Sequence, residues 1–218
     1  MSLGSLGRYY ANRVFDRAGD AYMGITTSKI VKLETLGTFS GDHQHYEGVP
    51  YLALLRALRH VPISPQDVFL DYGAGMGRAM AIAGLHPFAR IIGIELTEEL
   101  ARKGKANLEI AARRLECRNV ELIVGNAQTY DPPASVTVFH FFNPFIGDVL
   151  RDVVARIKHG LARVPRPVTL MFANPVHFEA LLEVDPWLRL VREVPWPFFE
   201  QQRSEKGVAS WSYRIYRV

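Results

Sequence analysis

One cysteine, Cys117, is all the thiol this chain contains. That excludes a disulfide framework and a cysteine-built metal site. Long apolar runs are missing as well. The longest are strand-sized, well short of the ~18 residues a membrane-spanning helix needs, so no membrane partner is expected. The N-terminus carries no apolar signal core, and MSLGSLG reads as a flexible tail. The expected address is cytoplasmic. There is no internal repeat and no low-complexity linker. In 218 residues that are 48% hydrophobic, this points to one core with additions rather than two domains. Concentrated positive charge is lacking too. The net charge is +4, and the cations are scattered apart from a local cluster at Arg113, Arg114 and Arg118. A nucleic-acid footprint gathers Lys and Arg on one face or stripe. A solvated surface is therefore the preferred reading, and nucleic acid is not expected as a partner.

What the chain does have is alternation of element types. From Gln66 onward, short apolar runs rich in strand formers alternate with longer helical ones. DVFLDYG, ARIIGIEL, NVELIVGNA, SVTVFHFFNPF and PVTLMFANP read as strands. GRAMAIAGLH, TEELARKGKANLEIAARRLE and VLRDVVARIKHGL read as helices. Thr97 is the expected N-cap of the second helix, with Glu98 and Glu99 in the first turn, where the helix dipole favours them. The runs IIGI, LIVG and TLMF are apolar without alternation, as in strands covered on both faces. The class is α/β, a doubly wound, mostly parallel sheet. LRLVREVPW and ASWSYRIYRV break the series and fit an antiparallel pair at one sheet edge. PYLALLRALRHV reads as an amphipathic helix started by Pro50 and stopped before Pro62. Residues 1–60 are read as an N-terminal cap or lid, and 61–218 as the sheet domain.

The stretch DYGAGMGR, directly after the first strand, carries three alternating glycines: Gly73, Gly75 and Gly77. In a doubly wound sheet the turn after the first strand faces the ligand crevice. Glycine there accepts unusual backbone angles and lets another molecule come against the main chain. A merely tight turn would need one glycine. The spacing G-x-G-x-G differs from the dinucleotide fingerprint G-x-G-x-x-G, whose third glycine is Arg78 here. Glu95 closes the second strand, where a carboxylate can accept ribose hydroxyls.

These residues resemble a known family. DYGAGMGR, then IIGIEL, VGNA and FFNPF, is similar to the ordered strand ends of the class I S-adenosylmethionine-dependent methyltransferases. The resemblance covers Gln66 to about Asn174, and the two terminal strands suit that family's antiparallel edge. It implies a Rossmann-like seven-stranded sheet with an antiparallel C-terminal edge strand, and S-adenosyl-L-methionine as cofactor. It places Asp71 near the methionine amino group, and Gly73, Ala74, Gly75 and Gly77 along the methionine moiety. Glu95 would bind the ribose, and Asn126 and Ala127 would contact the adenine edge. The family commonly has Asp where Asn126 stands. Met76 fits either packing against the cofactor or ordinary filling.

On the acceptor side, FFNPF resembles the N-P-P-Y motif of amino- and amide-nitrogen methyltransferases, with one Pro and a Phe. It implies that Asn143 binds the cofactor, facing its methyl, and accepts an N–H from a nitrogen nucleophile, with Phe142 or Phe145 walling the slot. The alternative is that Pro144 ends the strand and the phenylalanines are core. Tyr46, in GDHQHYEGVPY, is a second candidate for the chemistry, closing over cofactor or acceptor together with Tyr51. His43 and His45 read as a polar loop rather than a metal site, for want of a third ligand. His140 reads as a core histidine, and Trp187, Trp196, Phe198 and Phe199 as edge-strand core. The acceptor, a small molecule or a protein, is not legible, nor is the oligomeric state. Two other readings remain: a nicotinamide-dependent oxidoreductase, and a non-catalytic module that keeps the fold and binds a partner.

Overall fold

The computed structural model describes residues 3–28, 46–173, 175–197 and 212–218. In chain order the elements are α1 (Leu3–Met23), α2 (Tyr51–Leu58), β1 (Val68–Tyr72), α3 (Arg78–Ala83), β2 (Arg90–Glu95), α4 (Glu98–Ala111), β3 (Val120–Val124), β4 (Val136–Phe142), α5 (Gly147–Arg163), β5 (Thr169–Ala173), α6 (Val176–Val184), β6 (Arg189–Pro195) and β7 (Ser212–Arg217). The strands form one sheet in the order β3-β2-β1-β4-β5-β7-β6. β1 to β5 are parallel, and β7 is antiparallel to both β5 and β6. The expected antiparallel pair closes the sheet, but the C-terminal strand sits one place in and β6 is outermost. The chain winds outward from β1 to β3, then crosses back to β4. That reversal leaves a crevice beyond the carboxyl ends of β1 and β4.

Two apolar layers hold the sheet. Phe69, Ile91 and Met171 pack with Leu54, Met80 and Leu108 on one face. Leu70, Tyr72 and Phe139 pack with Val149, Val153 and Ile157 on the other. All five residues of β1 and of β5 are buried, which is why neither strand alternates in polarity. In α5 the buried Val149, Leu150, Val153, Val154, Ile157 and Leu161 recur at three- and four-residue spacing, so they form one stripe.

Several expectations change. α1 begins at Leu3, so most of the stretch read as a tail is helical. β3 is not doubly covered: it is an edge strand, and Val124 is exposed. α6 follows β5, where no helix is expected from the sequence. Thr97 does occupy the N-cap of α4, but its side chain makes no capping hydrogen bond. The N-terminal segment is packed into the main core, with Met23, Ile25, Val49 and Leu58 in the same cluster as Phe69 and Met80. Trp196 is buried. His43, His45, Phe198 and Phe199 lie outside the described residues.

Candidate functional site

A cleft of about 630 Å³, part of it open to solvent, lies at the carboxyl ends of β1 to β4. Each strand end contributes to its wall: Gly73 after β1, Glu95 and Thr97 after β2, Gly125 and Ala127 after β3, Asn143 and Pro144 after β4. Leu100 of α4 forms one side, and Tyr46 and Glu47 close another from the N-terminal segment.

The glycine loop is hung from β2. The N–H groups of Gly73 and Ala74 both donate to the Ile94 carbonyl, at 2.9 and 3.0 Å. Gly73, Gly75 and Gly77 have φ of 74°, 53° and 81°, in the left-handed region that disfavours other residues. Two of them also permit close approach. A β-carbon on Gly73 would stand 2.4 Å from Pro144 Cβ, and one on Gly75 would stand 2.2 Å from the Tyr46 ring. The open face of Gly75 is therefore met by a side chain of this protein. Gly77 is the N-cap of α3, and Ala74 is buried in the core beneath the loop.

Glu95 faces the same loop. Its Oε2 accepts the Gly75 N–H at 2.8 Å, and its Oε1 accepts the Thr97 N–H at 2.8 Å. A carboxylate has about four lone-pair positions, so Glu95 retains acceptor capacity toward the cleft on both oxygens. Burial pushes its carboxyl above the ordinary range, against the lowering effect of the Thr97 and Gly75 hydrogen bonds. The described residues lining the cleft carry two carboxylates, Glu47 and Glu95, and no Lys, Arg or His. This acceptor set suits a ligand with hydroxyls and positive charge. It does not suit a pyrophosphate, which would need the Gly75 N–H that Glu95 already holds.

Other candidates are placed differently. Asp71 is buried within β1 and is not part of the cleft lining. Its Oδ1 lies 2.7 Å from His140 Nδ1, and His140 Nε2 lies 2.9 Å from the Tyr213 hydroxyl. A carboxylate can only accept, so Nδ1–H donates to Asp71, while Nε2 and the Tyr213 hydroxyl share the second hydrogen bond. His140 is fully buried. Asn126 is exposed, and its Oδ1 accepts the Gln128 N–H at 2.9 Å. It caps the turn after β3, while Gly125 and Ala127 border the cleft. Tyr46 turns its hydroxyl away to donate to the Thr27 carbonyl at 3.0 Å. Burial raises its pKa well above 10, so the phenol keeps its proton. Tyr46 thus meets the cleft as part of its wall, with its hydroxyl bonded to the N-terminal segment.

Asn143 lies at the end of β4 with φ of 45°, the one non-glycine residue at positive φ among those described. Asn tolerates this conformation better than most residues. It borders the cleft and also a smaller apolar crevice of about 250 Å³ toward Phe172, Phe178 and His177. Phe142 flanks the cleft with Trp196 behind it, ring centroids 5.8 Å apart. Phe145 is buried edge-on against Tyr72 and Phe141. Sequence reasoning missed Glu47, Leu100 and Gly125. Leu100 was findable as the first buried residue of the helix after the Glu95 strand.

No protein-family model and no curated protein matches the chain. Among solved structures it is similar to StiE O-MT, with 15% identity and a TM-score of 0.56 over 75% of this chain and 72% of that one. It is also similar to a dimethyladenosine transferase from Plasmodium falciparum, with 15% identity and a TM-score of 0.51 over 76% of this chain and 60% of that one. At such identities the likeness is one of architecture. The chain has the Rossmann-like fold of the class I S-adenosylmethionine-dependent methyltransferases.

Proposed function

We propose that the chain is an S-adenosylmethionine-dependent methyltransferase. The observation that carries this reading is the acidic cleft. Glu95 is seated on the glycine loop and Glu47 lines the same cleft, with no cation among the described lining residues. Glu95 would hold the ribose hydroxyls with its remaining lone pairs. Leu100, Gly125 and Ala127 would border the adenine, in place of the Asn126 side chain. Gly73, Tyr46 and Glu47 would enclose the amino-acid end. Gly75 and Gly77 shape the loop, and Ala74 and Asp71 support it from the core. The oxidoreductase alternative is disfavoured by the occupied Gly75 N–H and by Arg78 at the third glycine position.

Bound there, S-adenosylmethionine would supply a sulfonium methyl, whose bond to sulfur would break as its bond to the acceptor formed. The protein's part is alignment, which can supply ~7–11 kcal/mol in favourable cases. Asn143, held at positive φ between cleft and crevice, would accept an N–H from a nitrogen nucleophile through its side-chain carbonyl. The acceptor class is a small molecule or a protein side chain.

The test is transfer of a tritiated methyl group from S-adenosylmethionine to cell lysate, fractionated by size. Label entering one fraction with the intact chain, and not with Glu95→Ala, is the expected result. Uptake of cofactor without transfer to any fraction would favour the non-catalytic module. Asn143→Gly accommodates the positive φ and deletes the whole CH2–CONH2 side chain. It should slow transfer by about 10²-fold while leaving cofactor affinity unchanged; an unchanged rate would remove Asn143 from the reaction.

A further inference from the structure

The glycine loop is followed at once by a buried arginine, and a methyl-transfer cleft has no direct use for it. Arg78 is the first residue of α3 and is 3% exposed. Among the described residues, every partner of its guanidinium belongs to the N-terminal segment. Nε donates to Thr27 Oγ1 at 2.6 Å, and Nη2 to Ser28 Oγ at 2.8 Å. Nη1 donates to the carbonyls of Gly48 and Val49 at 3.2 and 3.1 Å. Asp16 and Asp20 of α1 lie 3.3 and 3.5 Å away, and the group stacks over the Tyr51 ring at 5.1 Å. Asp20 in turn accepts from the N–H and hydroxyl of Thr27 and from the hydroxyls of Ser28 and Tyr51.

These contacts bracket the two N-terminal residues of the cleft wall. Thr27 accepts from Arg78 with its hydroxyl and from the Tyr46 hydroxyl with its carbonyl. The Gly48 carbonyl, directly after Glu47, returns to Arg78. A planar guanidinium with donors in a fixed fork can hold this many acceptors in one geometry; a lysine ammonium cannot. A buried ion pair is by itself weak evidence for stability, and positional specificity is its better-attested use.

We propose that Arg78 is a positioning residue. It latches the N-terminal segment onto the glycine loop and thereby sets Tyr46 against Gly75 and Glu47 in the cleft, so that seating of this segment and cofactor binding are one linked event. This rests on the methyltransferase reading above. Linkage is reciprocal: a segment that strengthens cofactor binding is itself held more firmly when cofactor is bound.

The test is a double-mutant cycle on the full chain, read by calorimetric titration with S-adenosylhomocysteine, with melting temperature recorded for each variant. Arg78→Lys and Tyr46→Ala should each weaken binding about tenfold or more, and the double variant should be little weaker than the weaker single, because residues acting through one contact are not additive. Bound ligand should also slow amide exchange of residues 20–28 in the wild type and not in Arg78→Lys. Should Arg78→Lys fail to fold, Thr27→Val replaces it, deleting the hydroxyl that receives Nε at nearly constant shape. Losses that multiply, or an Arg78→Lys protein that binds like the wild type, overturn the latch while the methyltransferase reading stands. A wild-type chain that binds no S-adenosylhomocysteine overturns both.

Discussion

Glu95 holds two main-chain N–H groups and still presents acceptor positions to the cleft, and this double role is sensitive to pH. Its carboxyl is raised by burial, so the folded protein takes up this proton at a higher pH than the unfolded chain does. Two consequences follow with opposite signs. The ionised form, which accepts hydroxyls, is lost as pH falls through the raised value, so S-adenosylhomocysteine affinity should drop at a pH above the usual 4.5 for a glutamate. Stability contributed by this group changes the other way, diminishing as pH rises from that ordinary value to the raised one. A titration series in which affinity stays flat down to pH 4 would contradict the ribose role. At Gly75 the expected effect is steric. A methyl there enters the Tyr46 ring at a φ of 53°. Gly75→Ala should cost ~1–3 kcal/mol in urea denaturation and abolish cofactor binding; an unperturbed variant would show that Tyr46 does not rest on the loop.

At the scale of elements, the Asp71–His140–Tyr213 series ties β1, β4 and β7 together inside the sheet. Tyr213→Phe removes the one hydroxyl facing His140 Nε2 and should destabilise the protein by ~1–3 kcal/mol, the cost of a buried polar atom left unpaired. Chemical denaturation of the variant at wild-type stability would refute that role. Strands, α2, α4 and α5 were legible because each has its own periodicity and punctuation. α1 was not: its buried face includes Asn12, Asp20 and Met23, and the cation beside Asp20 is an arginine three elements later in the chain. Hydrophobic periodicity cannot register a polar face whose partner is remote. β3 misled for another reason. Its apolar run resembles a central strand, but strand order, which puts it at the edge, is not written in the strand itself. The glycine loop and Glu95 were readable because they adjoin predicted strand ends. The turning inward of Asp71, the exposure of Asn126 and the seating of Tyr46 depend on His140, Gln128 and Thr27, and none of those pairings has a local signature.

Taken as a whole, the molecule places a carboxylate-lined cleft in a chain of net charge +4. A charge of that sign allows an acidic partner without demanding one. The fold turns its buried Arg78 toward α1 and its Glu95 toward the glycine loop, so among the described residues the charge lining the crevice opposes the global one. On the proposed reading, such a lining would favour a sulfonium nucleoside, which is cationic, over a dinucleotide, which carries a pyrophosphate. The most direct test is a set of parallel calorimetric titrations of the full chain with S-adenosylmethionine, S-adenosylhomocysteine and NADH. The account predicts micromolar binding of the first two and none of the third. Silence with both sulfur nucleosides at high protein concentration, or tighter binding of NADH than of either, would contradict it.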